Sequence, residues 1–286
     1  MKNSRPKLVI FGDTRKPRVA EAIEEFLGFC QCRAQVIANC AVTECADIDL
    51  GQASFAVVFG GDGSILAAAR TLVEAAIPII GINVGKLGYL AEFNVGEVKK
   101  LWDQVISDQT LIDPRMMLQC DIQRNSATIF SAAAVNDVVI NAGPPFRMIE
   151  LKMRIDGAPL AGCIGDGLII STPTGSTAYN ISAGGPILAA NISAMVITPI
   201  CPHSLSFRPI VVGAERKIEV QAVQLNKGTT VTIDGQVSKT LNMQDVLRIE
   251  KHGGMLKVVS NPARTQWDTL AGKLNWAGRP NYSGGK

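Results

Sequence analysis

Phe55-Ala56-Val57-Val58-Phe59-Gly60-Gly61-Asp62-Gly63-Ser64 decides the reading of this chain. Five consecutive apolar residues with no polar alternation predict a strand buried on both faces, the habit of a parallel sheet. Gly60-Gly61 ends the run, and Ile65, Ala69, Leu72, Val73 and Ala76 then recur at helical spacing. The unit is a strand, a tight glycine bend and a helix. Upstream, Lys7–Phe11 is a second apolar run closed by Gly12-Asp13, followed by a helical face of Val19, Ile23, Phe26, Leu27 and Cys30. Downstream, Ile77–Val84 is a third strand, and Val98, Leu101, Trp102 and Val105 mark another helix. Alternating strands and helices imply an α/β domain with a parallel sheet, Rossmann-like, over residues 1–112.

Near Asp113-Pro114 the pattern changes. Strand-like segments then follow one another with turns between them: Ala134–Ile140, Ile149–Asp156, Leu168–Thr172, Lys217–Val223, Thr229–Ile233, Val246–Glu250 and Met255–Val259. Ile149, Leu151, Met153 and Ile155 alternate with Glu150, Lys152, Arg154 and Asp156, one dry face and one wet. Residues 113–262 therefore read as a β-rich carboxyl-terminal domain, and Ala277–Lys286, Gly-rich and polar, as a frayed end.

Composition narrows the function. Of 286 residues, 47% are hydrophobic and 19% charged, enough apolar surface for real cores and against a largely disordered chain. Lys and Arg number 28 against 25 Asp and Glu, with no basic run, which gives no footprint for a nucleic-acid partner. Leu8–Phe11 is too short for a signal-peptide core, and nothing approaches the roughly 18 apolar residues of a membrane span. Seven cysteines, an odd set without a C-x-x-C pair, fit a reducing compartment, so the expected location is cytoplasmic. Cys30, Cys32, Cys40 and Cys45 match no zinc spacing, and no protein-bound metal is expected there.

Three segments carry chemistry. In Gly60–Ser64 the glycines let a bulky anion approach the backbone amides, and the helix start adds its positive dipole end. Asp62 beside a phosphate site suits a proton acceptor or a ligand for the nucleotide's Mg²⁺, though a helix cap reads equally well from the residues alone. In Ala134–Ile140, Asn136-Asp137 stands inside an apolar run and must find partners; a carboxylate can accept from ribose hydroxyls, while a bulge would serve as well. From Gly165 to Pro186 a strand feeds a dense set of hydroxyls and glycines around Tyr179, suited to ribose, phosphate and a stacked ring, or to capping a short helix. Lys86 is a further phosphate candidate, and Asp234-Gly235-Gln236 reads first as a hairpin turn. His203 has no nucleophile motif beside it and is expected to be buried and hydrogen-bonded. Trp102, Trp267 and Trp276 take core-like or helix-face positions.

Gly60-Gly61-Asp62-Gly63, Gly81-Ile82-Asn83 with Gly85 and Leu87-Gly88-Tyr89-Leu90, Asn136-Asp137, Asp166 to Pro186, Pro199–Pro209 and Asp234-Gly235 resemble, in that order, the NAD kinase family. Two positions depart from its commonest pattern: Ser64 where Thr is frequent, and Asp137 where many members carry Glu. The resemblance implies transfer of a phosphoryl group from ATP, with a divalent metal such as Mg²⁺, to the 2′-hydroxyl of the adenosine ribose of NAD. It implies Asp62 as the catalytic acid and Gly61 and Gly63 facing phosphates. Asn136 and Asp137 match the pair that contacts the dinucleotide. Asp166, Thr174, Thr177, Ala178, Tyr179 and Ser182 fall where family members hold adenine, nicotinamide and ribose groups. It further implies a homodimer or homotetramer, and a segment 263–286 that packs back on the first domain. The competing expectations are another kinase with a GGDG loop, acting on a lipid or sugar, and a dinucleotide-binding sensor without turnover.

Overall fold

The structure is a computed structural model that describes residues 5–44, 48–85 and 88–274. Lys86, Leu87, Cys45, Trp276 and Ala277–Lys286, all weighed above, lie outside the described residues. The chain divides into two units: Met1–Ala68, Ile77–Asp113 and Lys257–Lys286 form one, Ala69–Ala76 and Pro114–Leu256 the other. The ranges expected from sequence, 1–112, 113–262 and 263–286, differ from these at residues 69–76, 113 and 257–262.

The first unit contains β1 (Lys7–Phe11), α1 (Pro17–Cys30), β2 (Gln35–Cys40), β3 (Phe55–Gly60), α2 (Asp62–Ala75, whose second half is counted with the other unit), β4 (Ile79–Asn83) and α3 (Val95–Ser107). Its strands run β2-β1-β3-β4, all parallel. All six residues of β3 are buried, so the continuous apolar run has the cause inferred for it. Val19, Ile23 and Phe26 of α1 and Val98, Trp102 and Val105 of α3 pack with Phe59 and Ile82 in one core, where the Phe26 ring meets Phe59 and Trp102 edge-on at 5.6 and 6.1 Å. α3 starts with a reciprocal cap between Asn94 and Glu97, which satisfies two otherwise orphaned amides. β2 has no sequence signature because it is a half-exposed edge.

The second unit is antiparallel. It contains β5 (Ile112–Arg124), β6 (Ala127–Ala134), β7 (Asp137–Asn141), β8 (Ile149–Ile155), β9 (Ala158–Gly165), β10 (Gly167–Ser171), the short α4 (Tyr179–Ser182), β11 (Ala194–Ile200), β12 (Ile210–Gly213), β13 (Ile218–Gln224), β14 (Thr230–Ile233), β15 (Val237–Thr240) and most of β16 (Val246–Val259). One sheet has the order β12-β11-β10-β7-β14-β15; in the other β16, β13, β8 and β9 are successive neighbours, with β5 on β16 and β6 on β5. Leu151 and Met153 of β8 share a core with Val138, Ile140, Leu168, Ile170 and Ile197.

Two expected segments are redrawn. Val246–Glu250 and Met255–Val259 are one fourteen-residue strand, because Gly253-Gly254 stay extended and the Gly254 amide is held by His252 Nδ1 at 2.9 Å. Conversely, Ala134–Ile140 is not one strand: β6 ends at Ala134 and β7 begins at Asp137, for a reason that belongs to the site. The last residues of β16 return to the first unit, where Val258 pairs with Ile79 in parallel, and α5 (Gln266–Leu274) follows. Among the described residues no helix is long and apolar enough to cross a membrane.

Candidate active site

In the first unit, β3 delivers the glycine bend and α2 begins at Asp62. Gly60 adopts φ +147°, and a Cβ there would stand 2.2 Å from Ser64 Oγ, so glycine is required for the bend to close. Gly61 and Gly63 are exposed. Asp62 does not cap its own helix. Its carboxylate turns to the loop after β4, where Oδ1 accepts from the amides of Leu90 (2.9 Å) and Ala91 (3.1 Å) and Oδ2 from Tyr89 (2.8 Å). Lys273 of α5 donates to Oδ2 at 3.1 Å. A Cβ on Gly88 would lie 1.9 Å from Oδ1, so only glycine lets the loop wrap the carboxylate this closely. Burial pushes Asp62 up, but the amides of Leu90, Tyr89 and Ala91 and the Lys273 ammonium more than offset it, and the group lies below its ordinary value. Asp62 is thus a fixed, ionised acceptor.

Beside the bend is a cleft of about 630 Å³, lined by Gly60, Gly61, Ser64 and Asn83 on one side and by Arg15, Lys16 and Arg18 on the other. α1 opens there at Pro17 without a side-chain cap, so its first amides and dipole face the same space as the start of α2. The cleft gathers three cations, and Asp13, which also lines it, pairs with Arg15 at 2.7 Å.

In the second unit the organiser is Asp234, which sequence alone shows only as a turn residue. Asp234 and Gly235 have φ of 51° and 66°, the double left-handed geometry of a tight hairpin turn between β14 and β15. The carboxylate points inward, its side chain fully buried. Oδ1 accepts from the amides of Asn136 (2.7 Å) and Asp137 (3.1 Å), and Oδ2 from Val135 (3.0 Å). Three consecutive amides curl around one carboxylate, which is why the strand breaks between Ala134 and Asp137. Arg70 of α2 reaches Oδ2 at 3.6 Å and donates to Gln236 Oε1 at 2.7 Å.

Asp137 is buried opposite Ser171. Burial, then the neighbouring Asp234 charge, pushes it up to about 7. Asp234 is also raised by burial, less so because three amides and Arg70 stabilise its charge. Of the two, Asp137 is the more readily protonated.

The Asp166–Pro186 segment divides. Thr172 Oγ1 donates to Val135 O (2.6 Å) and accepts from the Gly175 amide (3.0 Å), stapling the hydroxyl-rich turn to the Asn136 turn. A Cβ on Gly175 would lie 2.0 Å from Asn136 O. Ser176 and Asn180 are wholly buried and structural: Ser176 Oγ accepts from the Leu188 amide, and Asn180 bonds Ser176 O, Pro186 O and the Thr198 hydroxyl. Thr174 is buried with a hydroxyl that has no hydrogen-bond partner, while Thr177 and Ala178 are half-buried and Tyr179 and Ser182 exposed. Asn136-Asp137 and the turn that bears Thr174 and Thr177 lie at the carboxyl end of β10, while α4, with Tyr179 and Ser182, turns back along that strand: Asn180 meets Thr198 opposite Ile169, and Ala183 packs on Val139, Ile169 and Ile200. Asp166 is exposed at the opening end of β10, five residues and roughly 17 Å from the Asn136-Asp137 end. His203, expected buried, is exposed, because it lies on an irregular loop tied down through its amide to Ile164 O.

Comparison with known proteins agrees with both halves. The ATP-NAD kinase N-terminal domain family matches residues 20–110, and the ATP-NAD kinase C-terminal domain family residues 135–260. The NAD kinase of Geotalea daltonii is 36% identical over 283 residues, covering 96% of this chain and 99% of the relative. That of Acinetobacter baylyi is 40% identical over 220 residues, covering 77% and 72%. Among solved structures, an Archaeoglobus fulgidus NAD kinase in complex with ATP superposes with a TM-score of 0.72 at 26% identity, covering 95% of this chain and 99% of that one. Yeast NADH kinase complexed with NADH gives 0.84 at 24%, covering 100% and 91%, a likeness of fold. Two domain families in register and more than a third of residues shared along the whole chain leave one assignment: the chain belongs to the NAD kinase family.

Proposed function

We infer that this protein is an ATP-dependent NAD kinase that transfers the γ-phosphoryl group of ATP to the 2′-hydroxyl of the adenosine ribose of NAD, giving NADP. The observation that carries the mechanism is Asp62, ionised and held by three backbone amides at the start of a helix that follows an open glycine bend. A carboxylate held below its ordinary pKa cannot strip a sugar hydroxyl in advance. It orients the oxygen and takes the proton as the oxygen–phosphorus bond forms, which is sufficient for a loose transition state governed by alignment and charge. Gly61, Gly63 and the cleft bearing Arg15, Lys16 and Arg18 receive the triphosphate in this reading.

Asn136, Asp137, Thr174, Thr177, Ala178, Tyr179 and Ser182 hold the dinucleotide. The unpartnered Thr174 hydroxyl supports this, since a buried hydroxyl without a partner is costly unless a ligand supplies one. Protonated Asp137 can both donate to and accept from a ribose. Asp166 lies too far from Thr174 to share one sugar or ring with it, and serves a different group of the dinucleotide. Among the described residues no three His, Cys, Asp or Glu cluster as a ready metal site. In this reading Mg²⁺ would be carried on the nucleotide phosphates with most of its water and would neutralise their charge there. A cytoplasmic homo-oligomer completes the reading; the exposed Leu160 and Ile164 on edge strand β9 are the apolar surface that supports association.

A coupled NADP-formation assay with ATP and Mg²⁺, run with NAD and with NADH, tests the function. Product with either dinucleotide is expected. ATP turnover on a lipid or sugar with none on either dinucleotide overturns it.

A further inference from the structure

The loop Gly60–Ser64 contains no lysine, so the glycine bend itself brings no cation to the group being transferred. The structure supplies one from the far end of the chain. Lys273 Nζ lies 3.1 Å from Asp62 Oδ2 and 4.3 Å from the centroid of the Tyr89 ring, a cation held between a carboxylate and an aromatic face. The two side chains are 29% and 28% exposed, so a substrate can reach both. The other three hydrogen bonds to Asp62 come from backbone amides fixed by the loop. An incoming hydroxyl must therefore arrive at the Lys273 side of the carboxylate.

We propose that Lys273 is a catalytic residue of the phosphoryl transfer, whose ammonium contacts the migrating phosphoryl group beside Asp62. The proposal rests on the kinase reading above. A hydroxyl on Asp62 sits within two hydrogen-bond lengths of Nζ, about 6 Å at most, and the flexible lysine stem spans the remainder to the phosphorus. The substrate oxygen attacks the γ-phosphorus as the bond from that phosphorus to the bridging β,γ-oxygen breaks. The bonding pair leaves with ADP, the hydroxyl proton passes to Asp62 and then to solvent, and Lys273 exchanges no proton. Its role is to offset negative charge on the equatorial oxygens.

α5 does not depend on this contact for its place. Asn261 and Arg264, just before it, bond Glu92 and Glu97, Thr265 and Asp268 cap its start, and Leu270 is buried. Removing the ammonium should leave the helix where it is.

The test uses the full-length enzyme with ATP, Mg²⁺ and NAD. Lys273→Met, which keeps the stem and loses the charge, is expected to lower kcat roughly hundred-fold with KM for NAD and the unfolding midpoint unchanged. Lys273→Arg should recover most of the rate, and Lys273→Ala should regain turnover on addition of ethylammonium, which leaves the wild type unaffected. A Lys273→Met enzyme with full kcat, a loss confined to KM, a kcat raised above wild type, or a loss that follows the midpoint and is not recovered by Lys273→Arg overturns the proposal while the kinase reading stands. A wild-type protein without turnover overturns both.

Discussion

Asp234 Oδ1 accepts a 2.7 Å hydrogen bond from the amide of Asn136, 98 residues earlier in the chain. That bond and its two neighbours make a hairpin turn on β14–β15 the template for the backbone that carries Asn136-Asp137. Replacing Asp234 with Ala leaves three amides without their acceptor and Arg70 without its ion-pair partner. The expected cost is about 2–4 kcal/mol of stability, with KM for NAD rising well before kcat changes. Denaturant unfolding and steady-state kinetics on the same sample check it; unchanged KM in a folded variant refutes the template role.

Asp137 gives the protein a pH signature. Its folded pKa is raised to about 7 from an ordinary value of 3.8, so the folded state binds the extra proton. The stabilisation is complete below the ordinary value and is lost as pH rises through about 7. Stability measured by unfolding should therefore decline across that window, and Asp137→Asn should flatten the decline. A wild-type profile rising over the same window contradicts the assignment.

Asp62→Asn should lower kcat roughly hundred-fold or more while NAD still binds, because the amide cannot accept the proton and offers one oxygen where the carboxylate offered two. Turnover and equilibrium dinucleotide binding, measured side by side, separate the two effects. Near-normal turnover rules out Asp62 as the acceptor.

Thr174→Val removes a buried hydroxyl that has no partner in the protein. Stability should hold or rise slightly, since an unsatisfied polar group is lost with little change in shape. KM for NAD should rise about tenfold if that hydroxyl meets the ligand, the worth of one ordinary hydrogen bond. Unchanged KM would mean it does not.

The sequence was readable where physics is local. Continuous apolar runs ended by glycine marked β1 and β3, because a strand covered on both faces has no wet side to encode; β4 was legible from Ile77–Val84 although Gly81 lies inside it. Alternation marked β8 for the opposite reason. β9 left no trace: its Ala, Pro and Gly residues face solvent along an edge and form no pattern. The site divides in the same way. Asp62 was visible from its glycines, but its partners lie 27 to 29 residues away on backbone amides and 211 away on Lys273, and no spacing rule reaches that far. The Asp234-Gly235 pair announced the turn correctly. It could not announce that the carboxylate folds inward, since a turn aspartate ordinarily faces water.

Gly88 has a consequence for how this family can drift. With no room for even a methyl group against Asp62, positions 62 and 88 are free to change only as a pair, and the loop from 88 to 91 is tied to the acid as well as to itself. A side chain gained at 88 would have to displace either the acid or the amides that hold it, so the smallest residue of the loop sets how tightly Asp62 is gripped.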